Sequence, residues 1–289
     1  MLRRLALLIA ATLAVAALPS SANAAPCPGN AEGLGVSRTV QIDTTGGPGF
    51  GFEHYKAHDF LEAGEVVLTF DDGPLPSHTR TILKALEEQC VKATFFPVGK
   101  LAVGYPEVLR EVLSHGHTVG SHTFNHIDLA KAKKEDAISE IERGFSAVKR
   151  AAGTGTAPFF RYPFLRHSIP TLEHLASRNV AIFSTDIDSF DFKVQAPANI
   201  VKSVLKKLEK NGKGIILMHD IQPATAKALP NLLKALKDKG YRIVHLTPKE
   251  PVTTLAKYDE MLTDAVKGLP SALSSRPTSS VVKTIKSNP

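Results

Sequence analysis

The 289-residue chain is 43% hydrophobic, enough apolar sequence to bury the core of one large domain. Its net charge of +7 suits an anionic surface or wall polymer, but the basic residues form no long stripe, which argues against nucleic acid as a partner. The only cysteines, Cys27 and Cys90, form at most one bridge between the N-terminal arm and the core, or stay as two thiols.

Arg3 and Arg4, the apolar run Leu5 to Leu18 and the closing Ala22-Asn23-Ala24 have the three parts of a secretory signal, with cleavage expected after Ala24. The apolar run is short for a bilayer span, so an exported protein, periplasmic or secreted and without stable membrane insertion, is expected. Residues 25–63 read as an arm rich in Gly and Pro, with a strand at Thr39 to Ile42. In it, GGPGFGF (46–52) reads as a loop whose two Phe residues either rim a groove or pack on the surface.

A buried strand, Val66 to Phe70, then runs into Asp71 and Asp72 and is stopped by Gly73 and Pro74. From there strands and helices alternate: helix 79–89, strand 93–99, helix 106–113, strand 117–122, helix 131–150, strand and turn 158–164, helix 170–177, strand 180–188, helix 199–209, strand 214–220, helix 229–238 and strand 241–246. This rhythm predicts an α/β fold of about seven mostly parallel strands, either a (β/α) barrel or an open doubly wound sheet. The polar residues fall where strands end, the edge at which such folds carry active sites. Residues 64–250 are expected to form the catalytic domain and 251–289 an extension, its Ser/Lys/Pro-rich end having little to bury.

Adjacent carboxylates at the end of a buried strand repel each other and need a cation or donors, unless they simply face water in a turn. A cation is available in two forms. His122 and His126, four apart, with Asp72 would make a two-histidine, one-carboxylate set with positions open for water, the pattern of a catalytic metal. Arg161, ending the apolar stretch PFFR, is a guanidinium in want of a carboxylate such as Asp71 or Asp72. Asp186, Asp188 and Asp191 crowd another strand end beside Phe190 and Phe192, where calcium binding or plain exposure are the other readings. His219 follows the apolar GIILM and suits a general acid if a carboxylate charges it, or else is a core histidine. His115 is expected at an exposed helix end, and His117 beside the following strand.

TFDDG (69–73), HTFNH (122–126), RYPF (161–164), DSFDF (188–192) and LMH (217–219) together resemble, in order, the five motifs of the polysaccharide deacetylases, the NodB-homology group of carbohydrate esterases. The resemblance spans about residues 64–246. It implies a distorted (β/α) barrel and one divalent ion, zinc with cobalt or nickel as substitutes, on Asp72, His122 and His126. It further implies Asp71 as base toward a metal-bound water, Arg161 orienting it, the Phe164 backbone N–H at the oxyanion, His219 as acid, and Asp188, or less directly Asp191, tuning that histidine. The fourth motif usually ends in Trp, which this chain lacks; Phe192, Phe190, Phe164 and Tyr162 are expected to line the glycan groove instead. The function so implied is removal of N-acetyl groups from an acetylated glycan of chitin or peptidoglycan type. O-acetyl ester cleavage, hydrolysis of a small cyclic amide, and glycan binding without catalysis are the rivals.

Overall fold

The computed structural model describes residue 27 and residues 29–266 apart from 154 and 195. The expected signal segment, and the tail beyond 266, lie outside the described residues.

Strand β1 (Arg38–Ile42) and the two-residue β2 (Gly49–Phe50) lie in the arm, and β3 (Glu65–Asp72) opens the alternation. There follow α1 (Pro76–Glu88), β4 (Thr94–Pro97), α2 (Gly99–Gly104), α3 (Pro106–Ser114), β5 (Thr118–Val119), α4 (Lys134–Ala152), β6 (Phe159–Phe160) and α5 (Ile169–Ser177). The chain continues through β7 (Ala181–Phe183), β8 (Ile187–Asp188), α6 (Pro197–Asn211), β9 (Gly214–His219), α7 (Pro223–Asp238), β10 (Arg242–Pro248) and α8 (Ala256–Val266). Helices α1, α3, α6 and α7 each begin on a proline, whose missing N–H would be unpaired in a first turn anyway.

Among the described residues every strand pairing is parallel. The path β8-β9-β3-β4-β5 continues through a bridge between Ser121 and Phe160 into β6-β7, which leads most of the way round a barrel. Strands β7 and β8 do not pair, and β2 takes the place beside β7. The result is the distorted (β/α) barrel, with a seam where 180–188 was expected to be one strand. The chain breaks there because the Phe183 and Ser184 carbonyls accept from the Arg161 guanidinium.

The period-two alternation of β3 explains how the two sides of the barrel wall are filled. Val66, Leu68 and Phe70 pack with helix residues such as Ile82, Leu86 and Leu229, while Val67 joins Phe96, Phe159, Phe183 and Ile215 in a second cluster. Thr69 and Asp71 share the phase of Val67. Beyond residue 250, where periodicity weakens, α8 nevertheless forms and buries Leu262 against Phe124 and Ala147. Cys27 and Cys90 are joined in a disulfide with Cα atoms 5.4 Å apart, tying the arm to the end of α1.

Candidate active site

The site is built on the end of β3. In a regular strand Asp71 and Asp72 would point to opposite faces. Asp72 instead adopts a left-handed backbone conformation, φ 78°, so both carboxylates turn toward the same mouth. Thr123, His126, Phe164 and Phe190, in the expected motifs, are also non-glycine residues with positive φ. Such strain persists only where the surrounding structure over-determines it.

Oδ1 of Asp72 lies 3.5 Å from His122 Nε2 and 3.3 Å from His126 Nε2. Ligand atoms of the three residues all fall within 4.8 Å of one another. Spacings of this size approach the ~3.3 Å edge of a tetrahedron with metal arms of about 2.0–2.1 Å. The Asp72 oxygen is buried without a hydrogen-bond partner, an arrangement that fits a divalent cation. His122 Nδ1 lies 2.7 Å from the Arg161 carbonyl and donates to it, which leaves Nε2 with its lone pair toward the ligand cluster. Burial, with His126 adding to it, holds His122 well below the ordinary histidine pKa, in the neutral ligating form.

Arg161, placed at a strand end by sequence, is completely buried, and its guanidinium ties several strands together. Nη1 donates to Asp71 Oδ1 at 2.8 Å and to Thr69 Oγ1 at 2.7 Å, Nε to the Phe183 carbonyl and Nη2 to the Ser184 carbonyl. Its Cζ lies 4.5 Å from the Phe96 ring centroid. Burial pushes the Asp71 carboxyl up to about 6, with the Arg161 charge opposing. The second member of the opening pair therefore belongs to the metal set and the first to the arginine.

His219 is paired in register with Asp71 across β9 and β3. Its Nδ1 lies 2.6 Å from Asp191 Oδ1, and its backbone N–H donates to Asp191 Oδ2 at 2.7 Å. Burial acts to lower the His219 pKa, but the Asp191 carboxylate outweighs it and pushes the group up to about 10. This corrects the expectation that put Asp188 first. Asp188 accepts the Phe190 N–H at 2.8 Å, and its carbonyl accepts Lys207 Nζ. That turn, with Phe190 at φ 54°, brings Asp191 rather than Asp188 beneath the imidazole.

Of the four groove candidates, Phe164 is 41% exposed, its ring edge-on to His126 at 4.8 Å. Phe192 stands edge-on to His219 at 5.6 Å, with exposed Phe190 beside it. Tyr162 is a correction: it is buried, and its hydroxyl donates to Thr171 Oγ1 at 3.1 Å. The alternation that points Arg161 into the barrel turns its neighbour out toward α5. Asp186 holds backbone, accepting from Phe52 N at 2.6 Å and Ile215 N at 2.7 Å. His115 caps the end of α3, and His117 is buried with Nδ1 accepting the Ala93 N–H.

Two carboxylates went unnoticed in sequence. Asp220 accepts the Gly73 N–H at 2.9 Å and the Thr79 hydroxyl at 2.6 Å, and burial pushes it up to about 7. A side chain on Gly73 would put Cβ 2.0 Å from Asp220 Oδ2, so the turn after the aspartate pair requires glycine. Glu140 of α4 accepts from Asn125 N at 2.8 Å and Asn125 Nδ2 at 2.6 Å, fixing the loop between the two histidines. Only the position of Asp220 directly after His219 could have drawn notice; Glu140 looks like any helix charge.

Residues 61–182 match the family model described as polysaccharide deacetylase. The chain is 32% identical over 186 residues to a Bacillus cereus peptidoglycan-N-acetylglucosamine deacetylase, covering 63% of this chain and 66% of that protein. It is 31% identical to a Sinorhizobium fredii chitooligosaccharide deacetylase, covering 63% of this chain and 89% of the relative. Among solved structures, Bdellovibrio bacteriovorus peptidoglycan deacetylase Bd3279 superposes with a TM-score of 0.67 at 34% identity, covering 74% of this chain and 59% of that one. The chain thus spans just under two thirds of the Bacillus relative and less of the Bdellovibrio protein, but most of the Sinorhizobium one.

Proposed function

The chain belongs to the polysaccharide deacetylase family, and from that premise we propose that it is an exported, metal-dependent hydrolase removing acetyl groups from N-acetylglucosamine-type residues of a glycan. The observation that carries this reading is the flanking of the Asp72-His122-His126 cluster by Asp71 and His219, in register on neighbouring strands.

Asp72, His122 and His126 would hold a divalent ion, which when bound would act as a Lewis acid toward the amide carbonyl and lower the pKa of water. Asp71 accepts the proton of the attacking water, its free carboxylate steered by Arg161. Protonated His219 then delivers its proton to the departing nitrogen, and Asp191 stabilises the charged imidazole beforehand. Expulsion of an amine anion is prohibitive, so an amide needs this acid more than an ester does. That need favours N-deacetylation over the O-acetyl reading. The intact base, acid and ligand set weighs against a binding protein without catalysis. The relatives named for peptidoglycan and for chitooligosaccharide support a glycan substrate, and the Cys27–Cys90 bridge supports an oxidising compartment outside the cytoplasm.

The test strips the purified protein of metal, restores zinc or cobalt, and offers chitin oligomers, peptidoglycan fragments and acetylated xylan. Acetate should come from the N-acetylated substrates and cease on chelation; release from none, with metal bound, refutes the proposal. Asp71→Asn should bind metal normally yet release no acetate. Loss of metal in that variant would mean the two aspartates have exchanged roles.

A further inference from the structure

The aromatic rim beside the proposed acid carries a cation that the site's own carboxylates leave unused. Phe192 stands edge-on to His219 at 5.6 Å, and the more exposed Phe190 lies 6.0 Å from Phe192. Lys193 Nζ is 5.3 Å from the centroid of each of these rings, whose negative faces attract an ammonium. The turn that swings Asp191 beneath His219 also places this lysine, since the Lys193 N–H donates to the Phe190 carbonyl at 2.9 Å. The ammonium is therefore one aromatic ring removed from the imidazole that meets the departing nitrogen.

The acidic groups around it are already matched. Asp71 pairs with Arg161, Asp191 with His219, and Asp72 belongs to the metal set. The charges of His219 and Lys207 both favour the Asp188 carboxylate, and Lys207 also donates to the Asp188 carbonyl. Lys193 is exposed, and among the described residues no carboxylate pairs with it. An unpaired cation at the edge of a cleft costs little to desolvate in part, and it steers and discriminates charged ligands. The net charge of +7 acts in the same direction. Of the two kinds of glycan for which the relatives are named, a chitin-type chain is uncharged, whereas peptidoglycan bears carboxylates on its lactyl and peptide substituents.

We propose that Lys193 is a specificity-determining residue that pairs with a carboxylate of the substrate chain, so that a carboxylate-bearing N-acetylated glycan is preferred to a neutral one. The inference rests on the glycan-deacetylase reading and narrows its substrate class.

The experiment measures acetate release from three tetrasaccharides: the neutral tetramer of N-acetylglucosamine, the alternating chain of N-acetylglucosamine and N-acetylmuramic acid, and that chain with its carboxylates methyl-esterified. Acid and ester share their shape and differ in charge. At low salt the wild type should show a higher kcat/KM for the acid than for the ester. Lys193→Gln should lower that ratio about 2–5-fold, the range of an exposed ion pair, mainly through KM. Lys193→Glu should lower it further, Lys193→Arg should keep it, and salt at about 0.5 M should erase it in the wild type. A wild type without preference for the acid, or a ratio unchanged in both Lys193→Gln and Lys193→Glu, overturns the inference while the deacetylase reading stands on release from any of the three. Release from none of them by the metal-loaded wild type overturns both.

Discussion

Replacing Asp191 by Asn separates charge from geometry at the proposed acid. The amide oxygen can still accept from His219 Nδ1, now at 2.6 Å from the carboxylate, so the ring keeps its orientation. The charge that outweighs burial and pushes His219 up to about 10 is gone, and burial then favours the neutral, proton-poor ring. Since general acid catalysis is worth roughly 10²–10⁴ in rate, kcat should fall by that factor, or about 3–5 kcal/mol of barrier. Acetate release measured across pH should also show the alkaline limb moving to lower pH. Asp188→Asn, whose side chain can still accept the Phe190 N–H, should stay within about threefold of wild type. Stability gives a second readout. A group whose pKa is raised on folding stabilises the protein fully below its unfolded value of about 6.5 and ceases to do so as pH rises through the folded one. The metal-free protein should therefore lose stability between about pH 6.5 and 10 through His219, and Asp191→Asn should flatten that fall. If Asp191→Asn were nearly wild type and Asp188→Asn the crippled variant, this account of the acid would be wrong.

Glu140→Gln leaves one of the two Asn125 donors without its carboxylate oxygen and loosens the loop between His122 and His126. Metal affinity, read by competition with a chromophoric chelator, should weaken about 10–100-fold, with metal-saturated kcat changing less. Replacing Cys90 by Ser opens a bridge between residues 63 apart in sequence, and should cost about 2–4 kcal/mol in denaturant unfolding. Activity at low temperature should be retained, because the bridge lies at the end of α1, away from the site.

Local order in the sequence was enough for much of this molecule. The apolar run into Asp71 and Asp72, stopped by Gly73, is a strand and turn because period, burial and breaker all agree over a few residues. The spacing of His122 and His126 sufficed to suggest a shared ligand, and Arg161 after PFF announced a buried charge in need of a partner. Which carboxylate serves which cation was not local. Asp191 reaches His219 because an Asp188 turn with Phe190 at positive φ rotates the chain, and Tyr162 leaves the groove because Arg161 takes the inward position. Asp72 joins the histidines only through a backbone conformation that no strand pattern predicts. The arm's place in the seam depends on the failure of β7 to pair with β8, and that is decided by Arg161 drawing the Phe183 and Ser184 carbonyls to itself. Periodicity determines which residues are buried along one element; the competition among elements for a single buried guanidinium is settled only when they meet.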